Sequence, residues 1–156
     1  MWLLAITNII TTYNTKDKMI ATETNLKGCF ILEPKKFGDS RGYFFESFNE
    51  QIFNEITNTQ TRFLQDNQSY STKGVLRGLH DQAGEDAHAK LVRVVEGTVL
   101  DNAVDARKGS ETFGQHVAIE LSGSNNLQLF VPRGFWHGVV VLRDTATFFY
   151  KCDNFY

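Results

Sequence analysis

The sequence predicts an all-β sandwich or barrel carrying one short helix. Three observations lead there. Apolar runs are short and closely spaced, turn residues bound most of them, and the Phe and Tyr side chains mostly alternate with polar ones inside the runs. Strands of that kind, joined by glycine turns, bury their apolar faces by closing on one another. Only residues 49–56 have helical character, with Asn49 as the cap and Phe53 and Ile56 facing inward.

The strand pattern begins near Leu26. Cys29-Phe30-Ile31-Leu32 is stopped by Glu33-Pro34, and the turn Gly38-Asp39-Ser40-Arg41-Gly42 opens Tyr43-Phe44-Phe45. After the helix come a strand at residues 62–67, the stretch at residues 74–80, and another strand at residues 90–95. Glu96-Gly97 reads as the turn of a hairpin whose second arm is residues 98–105. Residues 113–121 and 127–131 supply two more strands. The chain finishes with strands at residues 136–142 and 146–150.

At 156 residues with 42% hydrophobic and 22% charged side chains, the chain has the make-up of one domain with its own core. That domain is placed at residues 20–156, with residues 1–19 as an N-terminal appendage outside the fold. The apolar opening has no basic residue ahead of it and is shorter than a membrane span. A net charge of −2 gives no electrostatic reason to bind nucleic acid or an anionic membrane, and neither is expected as a partner. The two cysteines, Cys29 and Cys152, have neither disulfide-framework nor metal-site spacing, which fits a reducing cytoplasm.

The most informative stretch is Gly74-Val75-Leu76-Arg77-Gly78-Leu79-His80. In a regular strand Arg77 and His80 point to opposite faces, because the side-chain period is two. A bulge at Gly78 would bring both to one side and build a site. The alternative is that they are rim polar groups on a sheet edge.

Four histidines, at positions 80, 88, 116 and 137, are available for chemistry. Pro132-Arg133-Gly134-Phe135-Trp136-His137 resembles the second motif of the cupins, PxGxxH. Their first motif carries an HxH, whereas here His80 is followed two places on by Gln82. A tightly held metal needs three or four placed ligands, so no metal and no cofactor are expected.

Further motifs narrow the likeness. Residues 37–47, Gln65-Asp66-Asn67, residues 75–80, Lys90-Leu91-Val92-Arg93, residues 104–108 and Phe149-Tyr150-Lys151 together resemble the dTDP-4-dehydrorhamnose 3,5-epimerase family, in order and without large gaps. The resemblance implies a cupin-like β-sandwich, or jelly roll, that is cytoplasmic, homodimeric and metal-free. It implies epimerisation at C3 and C5 of a dTDP-linked 4-keto-6-deoxy sugar, with that dTDP-sugar as substrate.

It further implies His80 as the base, Tyr150 as the acid and Lys90 as a cation beside the developing enolate. Arg41, Glu46, Gln65, Asn67, Arg77 and His137 match substrate-holding positions, and Tyr156 matches an aromatic that stacks on thymine. The residue types suit the roles: histidine titrates near neutrality, and arginine presents a fork of donors to phosphate.

Family members also carry a tail beyond the position of Tyr156, with an aspartate that orients the catalytic histidine. Asp81 stands where the family has an aromatic residue. Trp136 replaces an alanine and would overpack the core if it faced inward, and Asn102 replaces an apolar strand residue. The residues equally permit a 3- or 5-epimerase of a related nucleotide deoxysugar, or a truncated homologue that binds the dTDP-sugar without turnover.

Overall fold

In the computed structural model, which describes residues 12–15, 18–80 and 84–155, two strands are long enough to belong to two layers at once. They are β8 (Lys90–Asp105) and β11 (Phe135–Cys152), paired antiparallel along most of their length. Midway their register breaks between Val141 and Ala146, and Gly97, at φ +88°, lies so close to β11 that a Cβ would collide with the Thr145 carbonyl. Only glycine fits that corner.

The first layer runs β1 (Thr12–Thr15), β2 (Met19–Glu23), β3 (Phe30–Pro34), β10 (Gln128–Val131), the first half of β8, the second half of β11 and β6 (Gln65–Thr72). The second layer uses the other halves of β8 and β11, flanked by β9 (His116–Ser122) and β7 (Leu76–His80). A separate hairpin joins β4 (Phe37–Asp39) to β5 (Gly42–Phe44). The fold is the expected cupin-like all-β sandwich.

Three expectations about connectivity are corrected. Glu96-Gly97 is not a hairpin turn but a corner inside β8. Likewise the two strands expected at residues 136–142 and 146–150 are halves of β11. In both cases the partner strand continues past the break, and that long-range pairing is invisible in a local pattern. Thr12–Thr15, placed outside the fold, pairs with Met19–Thr22, so the sheet begins earlier than expected. The rest of residues 1–11 lies outside the described residues.

Alternation gives the first layer two buried faces. Val92, Leu129 and Phe148 point between the layers and pack with Val99, Ala103, Leu121 and Val139. Leu32, Leu91 and Phe130 point the other way, beneath helix α1 (Glu50–Thr57), whose Phe53 and Ile56 are each 1% exposed. Phe53 meets Phe130 edge-on at 5.0 Å. Burying such a ring contributes about 1.5–3 kcal/mol. The helix starts as expected, the Asn49 side chain accepting from the Ile52 N–H at 3.2 Å, and it stops at Asn58 in the left-handed conformation.

Candidate active site

The site lies between the layers, where β7 approaches β11. His80 stands opposite His137 and Arg77 opposite Val139, so Gly78 and Leu79 of β7 together face Gly138 of β11. That extra residue is a bulge. Gly78 sits in it at φ +112°, and a Cβ there would come within 2.6 Å of the His137 carbonyl oxygen. Because His137 and Val139 both face inward, their neighbours Arg77 and His80 share the inner face. The bulge expected at Gly78 is present, and Arg77 and His80 are both exposed on β7, which among the described residues pairs only with β11.

Opposite His80 the floor is aromatic. The His137 ring lies parallel to Phe148, centroids 6.3 Å apart, and Phe148 touches Tyr150 at 5.9 Å. The Lys90 ammonium stands 6.0 Å from the Tyr150 ring centroid. His80 is exposed and Tyr150 half-buried, so both are reachable from solvent.

The wall is β6, whose inward positions 65, 67, 69 and 71 are all polar. Gln65 Nε2 donates to Asn67 Oδ1 at 3.0 Å, and Asn67 Nδ2 approaches the Cys152 sulfur at 3.7 Å. Burial pushes the Cys152 thiol above its ordinary pKa. Arg77 Nε donates to the buried Ser71 hydroxyl at 3.0 Å. Behind this pair a narrow cavity is lined by Ser71, Arg77, Val99, Val139 and Phe148.

Strand pairing and these contacts set Arg77 and His80 on β7 beside His137 on β11, and Lys90, Gln65 and Asn67 beside Tyr150 farther along β11. Arg41 and Glu46 belong to a different region, at and just after the β4–β5 hairpin, where Arg41 forks onto Asp39 with its side chain 89% exposed. Tyr156 and Asp81 lie outside the described residues. Trp136 faces outward, 45% exposed, so the overpacking considered above does not arise. Asn102 also lies on the outer face of β8, half-buried, and does not enter the core.

Of the remaining histidines, His116 is exposed at the start of β9. His88 is buried, with Nδ1 3.1 Å from the Asp86 carbonyl oxygen, and burial lowers its pKa. Among the described residues no three His, Cys, Asp or Glu side chains converge as metal ligands.

Asp101 was not anticipated. Its carboxyl is fully buried, and Oδ1 lies 2.8 Å from His137 Nε2. The alternation Val99, Asp101, Ala103 carries it to the core face, and that signal could have exposed it.

The comparisons with known proteins agree with this architecture. Residues 23–156 match the sequence profile of the dTDP-4-dehydrorhamnose 3,5-epimerase family. The enzyme of that name from Salmonella typhimurium is 54% identical over 138 residues, spanning 88% of this chain and 75% of the relative. Two crystal structures superpose with a TM-score of 0.85. The dTDP-4-dehydrorhamnose 3,5-epimerase from Elizabethkingia anophelis is 57% identical, with 89% of this chain and 76% of that one covered. The 3,5-epimerase from Legionella pneumophila, in complex with dTDP-4-keto-L-rhamnose, is 48% identical, with 88% and 73% covered. This chain is a member of the dTDP-4-dehydrorhamnose 3,5-epimerase family.

Proposed function

We propose that the protein converts dTDP-4-dehydro-6-deoxy-D-glucose to dTDP-4-dehydro-L-rhamnose by inverting C3 and C5, a step towards dTDP-L-rhamnose. The observation that carries this reading is the inner face shared by His80 and His137, which continues through Phe148 to Tyr150 and Lys90. It offers an imidazole, a phenol and an ammonium to a single sugar ring.

Each inversion needs a proton removed from a carbon beside the 4-ketone and another delivered to its opposite face. His80 takes the proton, and the electron pair of the broken C–H bond moves through the new C=C bond onto the ketone oxygen. Lys90 stabilises that enolate by its charge. Tyr150 then gives its phenolic proton to the carbon, restoring the ketone, and solvent resets both groups. A positioned base is worth about 10²–10⁴-fold and an oxyanion donor about 10²–10³-fold. Gln65, Asn67, Arg77 and His137 hold the substrate, with Arg77 directed to the diphosphate.

Arg41, Glu46 and Tyr156 are proposed as further substrate contacts, and the working form as a cytoplasmic homodimer. Phe37, Tyr43 and Phe44 of the hairpin are 54%, 60% and 70% exposed, which supports an apolar partner surface beside Arg41. Both thiols are free and buried, and among the described residues no helix is long and apolar enough to cross a membrane.

The test is incubation of the protein with dTDP-4-keto-6-deoxyglucose in D₂O. Deuterium at C3 and C5 of an inverted product is expected. Label at one carbon would make it a mono-epimerase, and no label with nucleotide bound would make it a binding protein. Light scattering reads the dimer.

A further inference from the structure

Asp101 is 0% exposed, yet its Oδ2 has no hydrogen-bond partner among the described residues, and Oδ1 meets only His137. Most buried polar side-chain atoms have a hydrogen-bond partner, so a fully buried carboxylate with one oxygen unpartnered among the described residues calls for a reason. His137 is 6% exposed, stacked on Phe148 and opposite His80. Asp101 is thus fixed behind a ring that faces the site.

Resting on the epimerase reading, we propose that Asp101 is a positioning residue that sets the tautomer of His137 and so determines which substrate group that ring can read. An ionised carboxylate only accepts hydrogen bonds, so the proton shared with it belongs to Nε2 of the imidazole. A ring carrying that one proton offers Nδ1 as an acceptor. An acceptor binds a sugar hydroxyl; it does not bind the ketone oxygen or the diphosphate, which need donors. His137 therefore reads a hydroxyl and Arg77 an anion, a division of labour that Asp101 imposes from inside the core.

The experiment is ¹⁵N NMR of histidine-labelled protein without substrate, combined with kinetics of Asp101→Asn. Expected is a wild-type His137 with a protonated Nε2 and a pyridine-type Nδ1, and loss of that single tautomer in D101N. The variant should raise KM about tenfold, the scale of one hydrogen bond, with kcat held within about threefold. Adding D101N to His137→Gln should cost nothing further, because the two act as a unit.

A protonated Nδ1 in the wild type overturns the proposal, and needs no variant to be seen. So does a D101N enzyme with unchanged KM, or one whose loss adds in full to that of H137Q. A fall in unfolding midpoint with KM unaltered would mark Asp101 as structural only and would overturn it too. The spectrum is read without turnover, so its outcome is separate from the deuterium experiment that tests the reaction.

Discussion

Strand β8 carries two fully buried carboxylates four residues apart, Asp101 and Asp105, and they are treated in opposite ways. Asp105 is satisfied on every side. The Arg107 guanidinium reaches both its oxygens at 2.9 and 2.8 Å, the Arg107 N–H donates at 3.0 Å, and the Ser110 and Thr112 hydroxyls each donate at 2.6 Å. Together they close the loop between β8 and β9, with Arg107 also lying over the Phe135 ring at 4.5 Å. Among the described residues Asp101 has one imidazole and a buried oxygen without a partner. The same side chain on the same face thus serves the fold in one place and the site in the other. The number of its partners tells which.

The sharpest way to break this contrast is to remove groups on the open side. His80→Asn and Tyr150→Phe should each lower kcat/KM by about 10²–10⁴-fold while leaving the urea midpoint unchanged. Tyr150→Phe keeps the ring against Phe148 and removes only the proton to be delivered. It should uncouple the reaction, so that deuterium still enters the starting sugar while inverted product does not form. A large fall in stability for either variant would place these residues in the core rather than the site.

Asp105→Asn should show the opposite pattern. Breaking a buried ion pair by neutralising one partner costs about 3–5 kcal/mol, and the Asn retains some of the hydrogen bonds. A loss of about 2–4 kcal/mol is expected in urea unfolding, with unaltered turnover per folded molecule. Arg107 holds the Asp105 carboxyl well below the usual carboxylate range, aided by the two hydroxyls. Its folded pKa is therefore depressed, so its contribution is complete above the unfolded value near 4 and is lost as pH falls through the folded one. Acid unfolding of the wild type should be steeper below about pH 4 than that of D105N, and superimposable curves would detach Asp105 from the loop.

Between these extremes stands Ser71→Ala. Arg77 Nε loses its anchor while the charge remains, so KM for the dTDP-sugar should rise about five- to tenfold with kcat little altered. A fall in kcat alone would mean that Ser71 serves the chemistry and not the orientation of Arg77.

How much of this was legible in the sequence depended on range. The helix from Asn49 was readable because its cap and its Phe53–Ile56 face are local, and the Gly78 bulge because glycine interrupts an apolar run between two charged groups. The corner at Gly97 was not, since a glycine between two β-rich runs looks the same whether the chain reverses or merely bends. Only the pairing with Thr147 and Ala146 on β11 decides. Within the candidate site, His80, Lys90 and Tyr150 stand in motifs that carry the family resemblance. Asp101 escaped because a carboxylate in an apolar alternation was weighed against no partner thirty-six positions away in sequence. The hairpin of Arg41 was legible as a turn, but its place relative to His80 was not, since no pattern records where a small separate sheet docks.

The smallest effect expected is at Trp136, next to His137 in sequence but on the other face of β11. Alternation places the indole outside, 45% exposed, while His137 points in. Trp136→Ala should therefore shift unfolding by no more than about 0.5 kcal/mol, as surface substitutions do, and leave the His137 tautomer and KM unchanged. An inward indole would behave differently. Its removal would open a cavity and cost about 3–5 kcal/mol, or, if it had been crowding its neighbours, would relieve strain and stabilise the protein. Urea unfolding of this one variant thus separates the two faces of β11, and with them the assignment of His137 and Val139, with Asp101 behind His137, to the side proposed to receive the sugar.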